Sequence, residues 1–134
     1  MIVDDEVDMA ATCVRLLTWR GYTCRTAQTG VEAIARMDTE APDLVITDLH
    51  LPGMDGLAVT RHARSRVPAI PVILFTADAS AAAESESYSA GATFYLAKPF
   101  LNAELLQLVE RALPADAGTA SAGLAAPVAR SIGL

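Results

Sequence analysis

The segment Leu44-Val45-Ile46-Thr47-Asp48 is an apolar run of strand-forming residues that ends in a carboxylate. Three further apolar runs also lead into polar side chains: Met1-Ile2-Val3 before Asp4 and Asp5, Val72-Ile73-Leu74-Phe75 before Thr76, and Phe94-Tyr95-Leu96 before Lys98-Pro99. If these runs are parallel strands of one sheet, their carboxyl ends collect three acids, a hydroxyl and an ammonium at one edge. Because the carboxylates would repel one another, we predict a divalent cation there, in a Mg²⁺ site that handles phosphate.

The segments between these runs have the spacing of amphipathic helices. The predicted helices span Val7 to Leu17, Gly30 to Met37, Asp55 as the N-cap to Arg64, Ser80 to Ser89, and Asn102 to Leu113. A further strand is predicted over Tyr22 to Ala27. Because strands alternate with helices, the pattern predicts an α/β fold with a parallel sheet covered by helices on both faces. The Ala- and Ser-rich helix from Ser80 is expected to be the least stable.

The composition limits the class of protein. The chain has 134 residues, 52% of them hydrophobic and 19% charged, which fits one domain with a substantial core. A formal net charge of −6 argues against direct binding of nucleic acid. Cys13 and Cys24 are expected to be buried free thiols. Without a signal peptide or an apolar run of ~20 residues, we expect no membrane association and a cytoplasmic location.

Two regions differ in composition. Residues 1–113 carry the strand and helix pattern, and we predict that they form the domain. Residues 114–134 are rich in Ala, Gly and Ser, and we predict a flexible tail or linker, with a short docked helix around Leu124 to Arg130 as an alternative.

Several motifs, taken in order, resemble the receiver domain of bacterial response regulators (the CheY-like superfamily). They are Val3-Asp4-Asp5-Glu6, Thr47-Asp48-Leu49-His50-Leu51-Pro52-Gly53-Met54-Asp55-Gly56, Phe75-Thr76-Ala77, Ala90-Gly91-Ala92 and Tyr95-Leu96-Ala97-Lys98-Pro99-Phe100. The resemblance covers about residues 1–113. It implies a flavodoxin-like, doubly wound, five-stranded parallel sheet of order 2-1-3-4-5 flanked by five helices.

The resemblance also implies a role for each polar residue at the strand ends. Asp48 would be the phosphoacceptor, taking a phosphoryl group from a histidine kinase or a phosphotransfer protein. Asp5 and Asp48 would bind Mg²⁺ directly, together with the backbone carbonyl of His50, and Asp4 would bind it through water. Lys98 would contact the phosphoryl group as a point charge.

Four side chains are candidates for switching or for tuning the site. In the family pattern Thr76 would hydrogen-bond the phosphoryl group and Tyr95 would turn into the space that Thr76 vacates. His50 and Asp78, each two residues beyond a key position, would modulate the lifetime of the acyl phosphate. The plainer alternatives are a strand-end threonine, a half-buried strand aromatic and two exposed loop residues.

The resulting hypothesis is a phospho-accepting receiver of a two-component system or phosphorelay that switches the binding of an output protein or a fused output domain. The resemblance also allows a homodimer through the face of the fourth helix, fifth strand and fifth helix. One alternative is a constitutive interaction domain that is not phosphorylated, although the intact set of polar residues argues against it. An independent phosphohydrolase is disfavoured, because His50 stands where a second acid would be needed.

The first strand is unusually short for this family, because three residues precede Asp4. A native start further upstream and a trimmed sequence are both compatible with this. Fewer ladder hydrogen bonds and less buried apolar area predict a lower stability.

Overall fold

The computed structural model describes residues 1–113 and 131–132. The strands are β1 Ile2–Val3, β2 Thr23–Cys24, β3 Thr26–Ala27, β4 Val45–Asp48, β5 Val72–Thr76, β6 Phe94–Ala97 and β7 Ser131–Ile132. Five of them form a sheet of order β3-β1-β4-β5-β6, in which all the neighbours run parallel. The predicted α/β fold and strand order are therefore confirmed.

Five helices occur within the described residues: α1 Val7–Trp19, α2 Gly30–Thr39, α3 Gly56–Ser65, α4 Ala81–Ser89 and α5 Asn102–Ala112. The side chains of Thr29, Asp55 and Ser80 cap α2, α3 and α4, each accepting a hydrogen bond from the backbone amide three residues ahead. These caps explain why the helices begin where the sequence predicted. Among the described residues, no helix is both long and apolar enough to cross a membrane.

The helices cover both faces of the sheet. On one face, α1 and α5 pack against the strands in a core that includes Leu17, Phe75 and Leu105. On the other face, α2, α3 and α4 pack in two clusters that include Met37, Val59, Leu74 and Ala83. Alternate residues of the central strands point to opposite faces, as the near-continuous apolar runs of a buried parallel sheet require.

The second predicted strand differs from the expectation. Instead of one strand from Tyr22 to Ala27, the structure has β2 and β3 with Arg25 between them. Only β3 joins the main sheet, whereas β2 pairs in parallel with β7, a strand that the sequence did not predict. The interruption lies at the edge of the sheet, where fewer ladder hydrogen bonds hold the chain straight. The predictions for residues 114–130, including the helix around Leu124 to Arg130, lie outside the described residues.

The register aligns the carboxyl ends of the central strands. Val3 pairs with Thr47, Asp48 with Phe75, and Thr76 with Ala97. Asp4, Asp48, Thr76 and Lys98 therefore lie at the same edge of the sheet, as the sequence predicted. The Lys98-Pro99 peptide is cis.

Candidate functional site

Lys98 joins two carboxylates at the carboxyl edge of the sheet. Its Nζ donates to Oδ2 of Asp4 at 3.0 Å and to Oδ2 of Asp48 at 2.8 Å. Asp4 is fully buried, and the side chains of Asp48 and Lys98 are each 9% exposed. The ammonium also lies over the Phe75 ring, 4.4 Å from its centre, in a cation–π contact. The three charged groups thus form one desolvated cluster.

Burial and pairing oppose each other in this cluster. Burial lowers the pKa of Lys98, but its hydrogen bonds to Asp48 and Asp4 outweigh that effect and leave the pKa above its usual value. For Asp4 the balance differs: burial raises its pKa, and the hydrogen bonds from the Glu6 amide and Lys98 only partly offset it. The buried carboxylate of Asp4 is therefore incompletely compensated, which favours a further cation nearby.

The arrangement of acids fits a small divalent cation. Among the described residues, carboxylate oxygens of Asp4, Glu6 and Asp48 lie within 4.8 Å of one another. Three carboxylates beside one ammonium leave excess negative charge, and oxygen donors are the ligands that Mg²⁺ prefers. The residues present therefore fit Mg²⁺.

The ligand set differs from the predicted one in one respect. Asp5, predicted as a direct ligand, is exposed and lies outside the group of three acids, and its metal role stays a prediction. Glu6, whose Oε1 is 3.9 Å from Lys98 Nζ, was not singled out by the sequence reasoning. Its position next to the Asp4-Asp5 pair, just before α1, is the signal that could have drawn attention to it.

The start of α3 holds the loop after β4 against the phosphoacceptor candidate. The Gly56 amide donates to the carbonyl of Leu49 at 2.7 Å, and a Cβ at Gly56 would lie 2.1 Å from the carbonyl oxygen of Asp48. Only glycine allows this approach. The His50 amide in the same loop donates to Oδ1 of Asp48 at 3.0 Å, which fixes the carboxylate orientation while Lys98 holds the other oxygen.

The two predicted switch residues meet at the backbone of Asp78. Thr76 Oγ1 accepts a hydrogen bond from the Asp78 amide at 3.1 Å. The Tyr95 hydroxyl donates to the carbonyl of Asp78. Burial raises the pKa of Tyr95, with the negative charges of Asp78 and Glu84 adding to it, so the phenol remains a donor at neutral pH. Thr76 and Tyr95 are thus connected through one loop residue.

The two predicted modulating residues lie opposite each other. His50 Nε2 is 3.6 Å from Oδ2 of Asp78, which makes an ion pair when the imidazole is protonated. Hydrogen bonds from Ser80 lower the pKa of Asp78, and His50 contributes further, so Asp78 is an anion at neutral pH. Both side chains are substantially exposed. The sequence placed both residues near the site but did not predict that they pair.

Comparison with known families agrees with this geometry. A family model described as the response regulator receiver domain matches residues 1–110. The DNA-binding transcriptional regulator NtrC of Salmonella typhimurium is 39% identical over 112 residues, which cover 84% of this chain and 24% of NtrC. Response regulator MprA of Mycobacterium bovis is 35% identical over 126 residues, which cover 91% of this chain and 55% of MprA. The chain thus spans about a quarter of the NtrC relative.

Solved structures of receiver domains have a similar fold. The receiver domain of NtrX from Brucella abortus has a TM-score of 0.78 at 32% identity, covering 84% of this chain and 95% of that one. A CheY-like response regulator receiver domain protein from Methanospirillum hungatei has a TM-score of 0.79 at 30% identity, covering 84% and 90%.

Proposed function

The chain belongs to the family of response regulator receiver domains, the phospho-accepting modules of two-component systems, and on this premise we propose that Asp48 is its phosphoacceptor. The family is not one of classical enzymes, so we propose that a partner supplies the phosphoryl group. We infer that this partner is a histidine kinase or a phosphotransfer protein. The observation that carries the proposal is the pairing of one buried ammonium with both Asp4 and Asp48 at the ends of parallel strands.

The residues around Asp48 suit phosphoryl transfer from a phosphohistidine. A carboxylate oxygen of Asp48 would attack phosphorus as the P–N bond to the donor imidazole breaks, and the electron pair would remain on that nitrogen. Lys98 would then exchange its bond to Asp48 for a bond to a phosphoryl oxygen, while Asp4 keeps it in place. The protein's part is mainly positioning and charge neutralisation.

Mg²⁺ is the proposed cofactor. When bound, it would supply positive charge against the phosphoryl oxygens. Asp4 and Asp48 are candidates to hold it, with Glu6 within reach, and Asp5 and the His50 carbonyl remain the ligands that the family pattern implies.

The acyl phosphate would act as a switch through Thr76. The Thr76 hydroxyl would donate its proton to a phosphoryl oxygen, and turning towards that oxygen would draw Oγ1 away from the Asp78 amide, from which it now accepts a hydrogen bond. Loss of this bond would free the loop that also holds Tyr95. We propose that this changes the binding of an output protein or a fused output domain.

The pair formed by His50 and Asp78 is proposed to set the lifetime of the acyl phosphate. The His50 amide donates to the Asp48 carboxylate, and the His50 side chain faces Asp78, so we expect water to pass this pair on its way to the phosphorus, with Asp78 adding negative charge there. His50→Ala and Asp78→Ala are both expected to change the dephosphorylation rate. The double variant should then show less than the sum of the two effects in log rate, because either substitution already breaks the pair. Unchanged rates would reject this role.

The experiment that tests the main proposal is treatment with acetyl phosphate and Mg²⁺, followed by intact-mass measurement and a phosphate-affinity gel. The parent protein should gain one phosphoryl group, and Asp48→Asn should gain none. Asp8→Asn removes the charge of an exposed acid in the first turn of α1 and should be modified like the parent. An adduct that persists in Asp48→Asn would reject Asp48 as the phosphoacceptor, and no adduct on the parent would favour the constitutive interaction domain instead.

A further inference from the structure

A groove lies between α1 and the edge of the sheet formed by β2 and β3. It is lined by residues of α1 from Val7 to Arg15, by β2, β3 and the residues beside them, and by Arg36 of α2. Its volume is about 550 Å³, which is within the range of pockets that hold small molecules. It shares Asp4 with the site at the carboxyl edge of the sheet, but none of its other lining residues belongs to that site.

The wall that α1 contributes is apolar. It consists of Val7, Ala10, Ala11 and Val14, whose spacing places them on one face of the helix. Val7 is 60% exposed, and Ala11 and Val14 are only partly covered by the core. Because these side chains are small, they leave room above them for the apolar part of another molecule, which would gain from being buried there.

Positive charge accompanies the apolar wall, although the chain as a whole has a net charge of −6. Arg15 of α1, Arg25 between β2 and β3, and Arg36 of α2 all line the groove. Among the described residues that line it, Asp4 is the one acid, and its carboxylate is already paired with Lys98. The groove is therefore locally cationic, and its charge complements that of an anion.

The three guanidinium groups differ in how far they are committed to other side chains. Arg25 pairs with Glu40 and Arg36 with Glu32, each at 3.0 Å, and neither glutamate lines the groove. Arg15 is exposed and forms no ion pair with a carboxylate of the described residues. Since a guanidinium group matches a carboxylate or a phosphate with two parallel hydrogen bonds, Arg15 is available to bind such a group.

The edge of the sheet adds a backbone donor to the groove. In the part of the chain that the structure describes, β3 is the outermost strand of the main sheet. The carbonyls of Arg25 and Ala27 accept hydrogen bonds from the amides of the neighbouring β1 segment. Because alternate residues of a parallel strand bond to opposite sides, the amide of Thr26, which lines the groove, points away from β1.

Apolar surface, arginines and an edge amide in one groove define the chemistry of its ligand. We propose that the groove binds a small organic anion, whose aliphatic or aromatic body lies along α1 and whose carboxylate or phosphate is bound by Arg15. The limited volume favours a small molecule over a segment of another protein. The inference goes beyond the proposed function, because binding in the groove requires neither Asp48 nor its phosphorylation.

The test is a titration of the ¹⁵N-labelled chain with 4-phenylbutyrate, followed by amide chemical shifts, without Mg²⁺ or a phosphoryl donor. 4-Phenyl-1-butanol keeps the apolar body and replaces the carboxylate by a hydroxyl group, whereas acetate keeps the carboxylate alone. We expect saturable shifts on the first half of α1, on β2 and on β3 with 4-phenylbutyrate. The alcohol and acetate should each bind at least about threefold more weakly, and salt should weaken the binding of 4-phenylbutyrate.

Three variants locate the binding site. Arg15→Gln should weaken binding of 4-phenylbutyrate roughly two- to fivefold and leave binding of the alcohol unchanged. Arg20→Gln is the matched control, because Arg20 is an exposed arginine at the end of the same helix but lines a different groove, between α1 and α5. Ala11→Leu places a larger side chain in the groove and should weaken binding of both the acid and the alcohol. Circular dichroism checks that each variant keeps the fold.

Several results would overturn the proposal. They are equal affinities for the acid and the alcohol, equal weakening by Arg15→Gln and Arg20→Gln, shifts centred on α5 or on the loop after β4, and the absence of saturable shifts with 4-phenylbutyrate. A Glu/Leu peptide that shifts the amides of α1, β2 and β3 when 4-phenylbutyrate shifts none would assign the groove to a protein partner instead.

Discussion

Replacing Lys98 by methionine should destabilise the domain strongly, because it leaves two carboxylates facing each other in a desolvated site. The ammonium lies 3.0 Å from Asp4 and 2.8 Å from Asp48, and its side chain is 9% exposed. Breaking a buried ion pair costs about 3–5 kcal/mol, which we reduce to about 2–4 kcal/mol because Asp48 borders solvent. With about 2.1 cal/mol/K of unfolding entropy per residue over the domain, this corresponds to a fall of roughly 8–17 °C in Tm.

The assay is thermal unfolding at pH 7 followed by circular dichroism, with and without Mg²⁺. Arg111→Met is the matched control, since Arg111 also lies over a phenylalanine ring but is exposed, and it should lower Tm by only about 2–4 °C. The loss from Lys98→Met should shrink in an Asp4→Asn background and on adding Mg²⁺. A Tm within about 2 °C of that of Arg111→Met, which is the error of such a comparison, would refute the reasoning.

Three further substitutions probe the same site. Gly56→Ala would place a methyl group 2.1 Å from the Asp48 carbonyl, so we expect a loss of about 1–3 kcal/mol or more in urea unfolding and slower phosphorylation, whereas Gly30→Ala, whose closest contact is 3.0 Å, should cost less. Asp4→Asn should raise Tm at pH 7, because burial raises the folded pKa of Asp4 above its unfolded value, so ionisation destabilises the fold. This advantage should shrink as pH falls through the raised pKa, where the parent is protonated, and a lower Tm at pH 7 would contradict it. Tyr95→Phe removes one hydrogen bond to a loop carbonyl, so we expect a loss of about 1 kcal/mol and shifted amide resonances at residues 76–80.

The fold was predictable from the sequence because the pattern of strands and helices along the chain agreed with the few ways in which such elements can be connected in a parallel sheet. Apolar runs of strand length alternate with capped helices. Because the crossover between two parallel strands is almost always right-handed, few arrangements of these strands and helices are possible. The break at Arg25 was not predictable in the same way. Tyr22 to Ala27 has strand-forming residues throughout, and only the pairing at the sheet edge decides which of them join the ladder.

The candidate site was predictable in position but not in its pairings. Strand register alone brings Asp4, Asp48, Thr76 and Lys98 to one edge of the sheet. Which carboxylates approach one another depends on rotamers in the loops that follow the strands. Asp5 and Glu6 are adjacent in sequence and both exposed, so no periodic pattern distinguishes the one that approaches Asp48.

Asp78 links the buried site to the surface, and its several contacts explain how one modification could be read at a distance. Its amide donates to Thr76, its carbonyl accepts from Tyr95, and its carboxylate faces His50. A phosphoryl oxygen that accepts from the Thr76 hydroxyl and draws it away would free the amide without touching the other contacts directly. Because the three contacts share one residue, releasing the first changes the geometry available to the others. If Asp48 is phosphorylated as proposed, we expect the surface around Tyr95 to respond through this single loop residue.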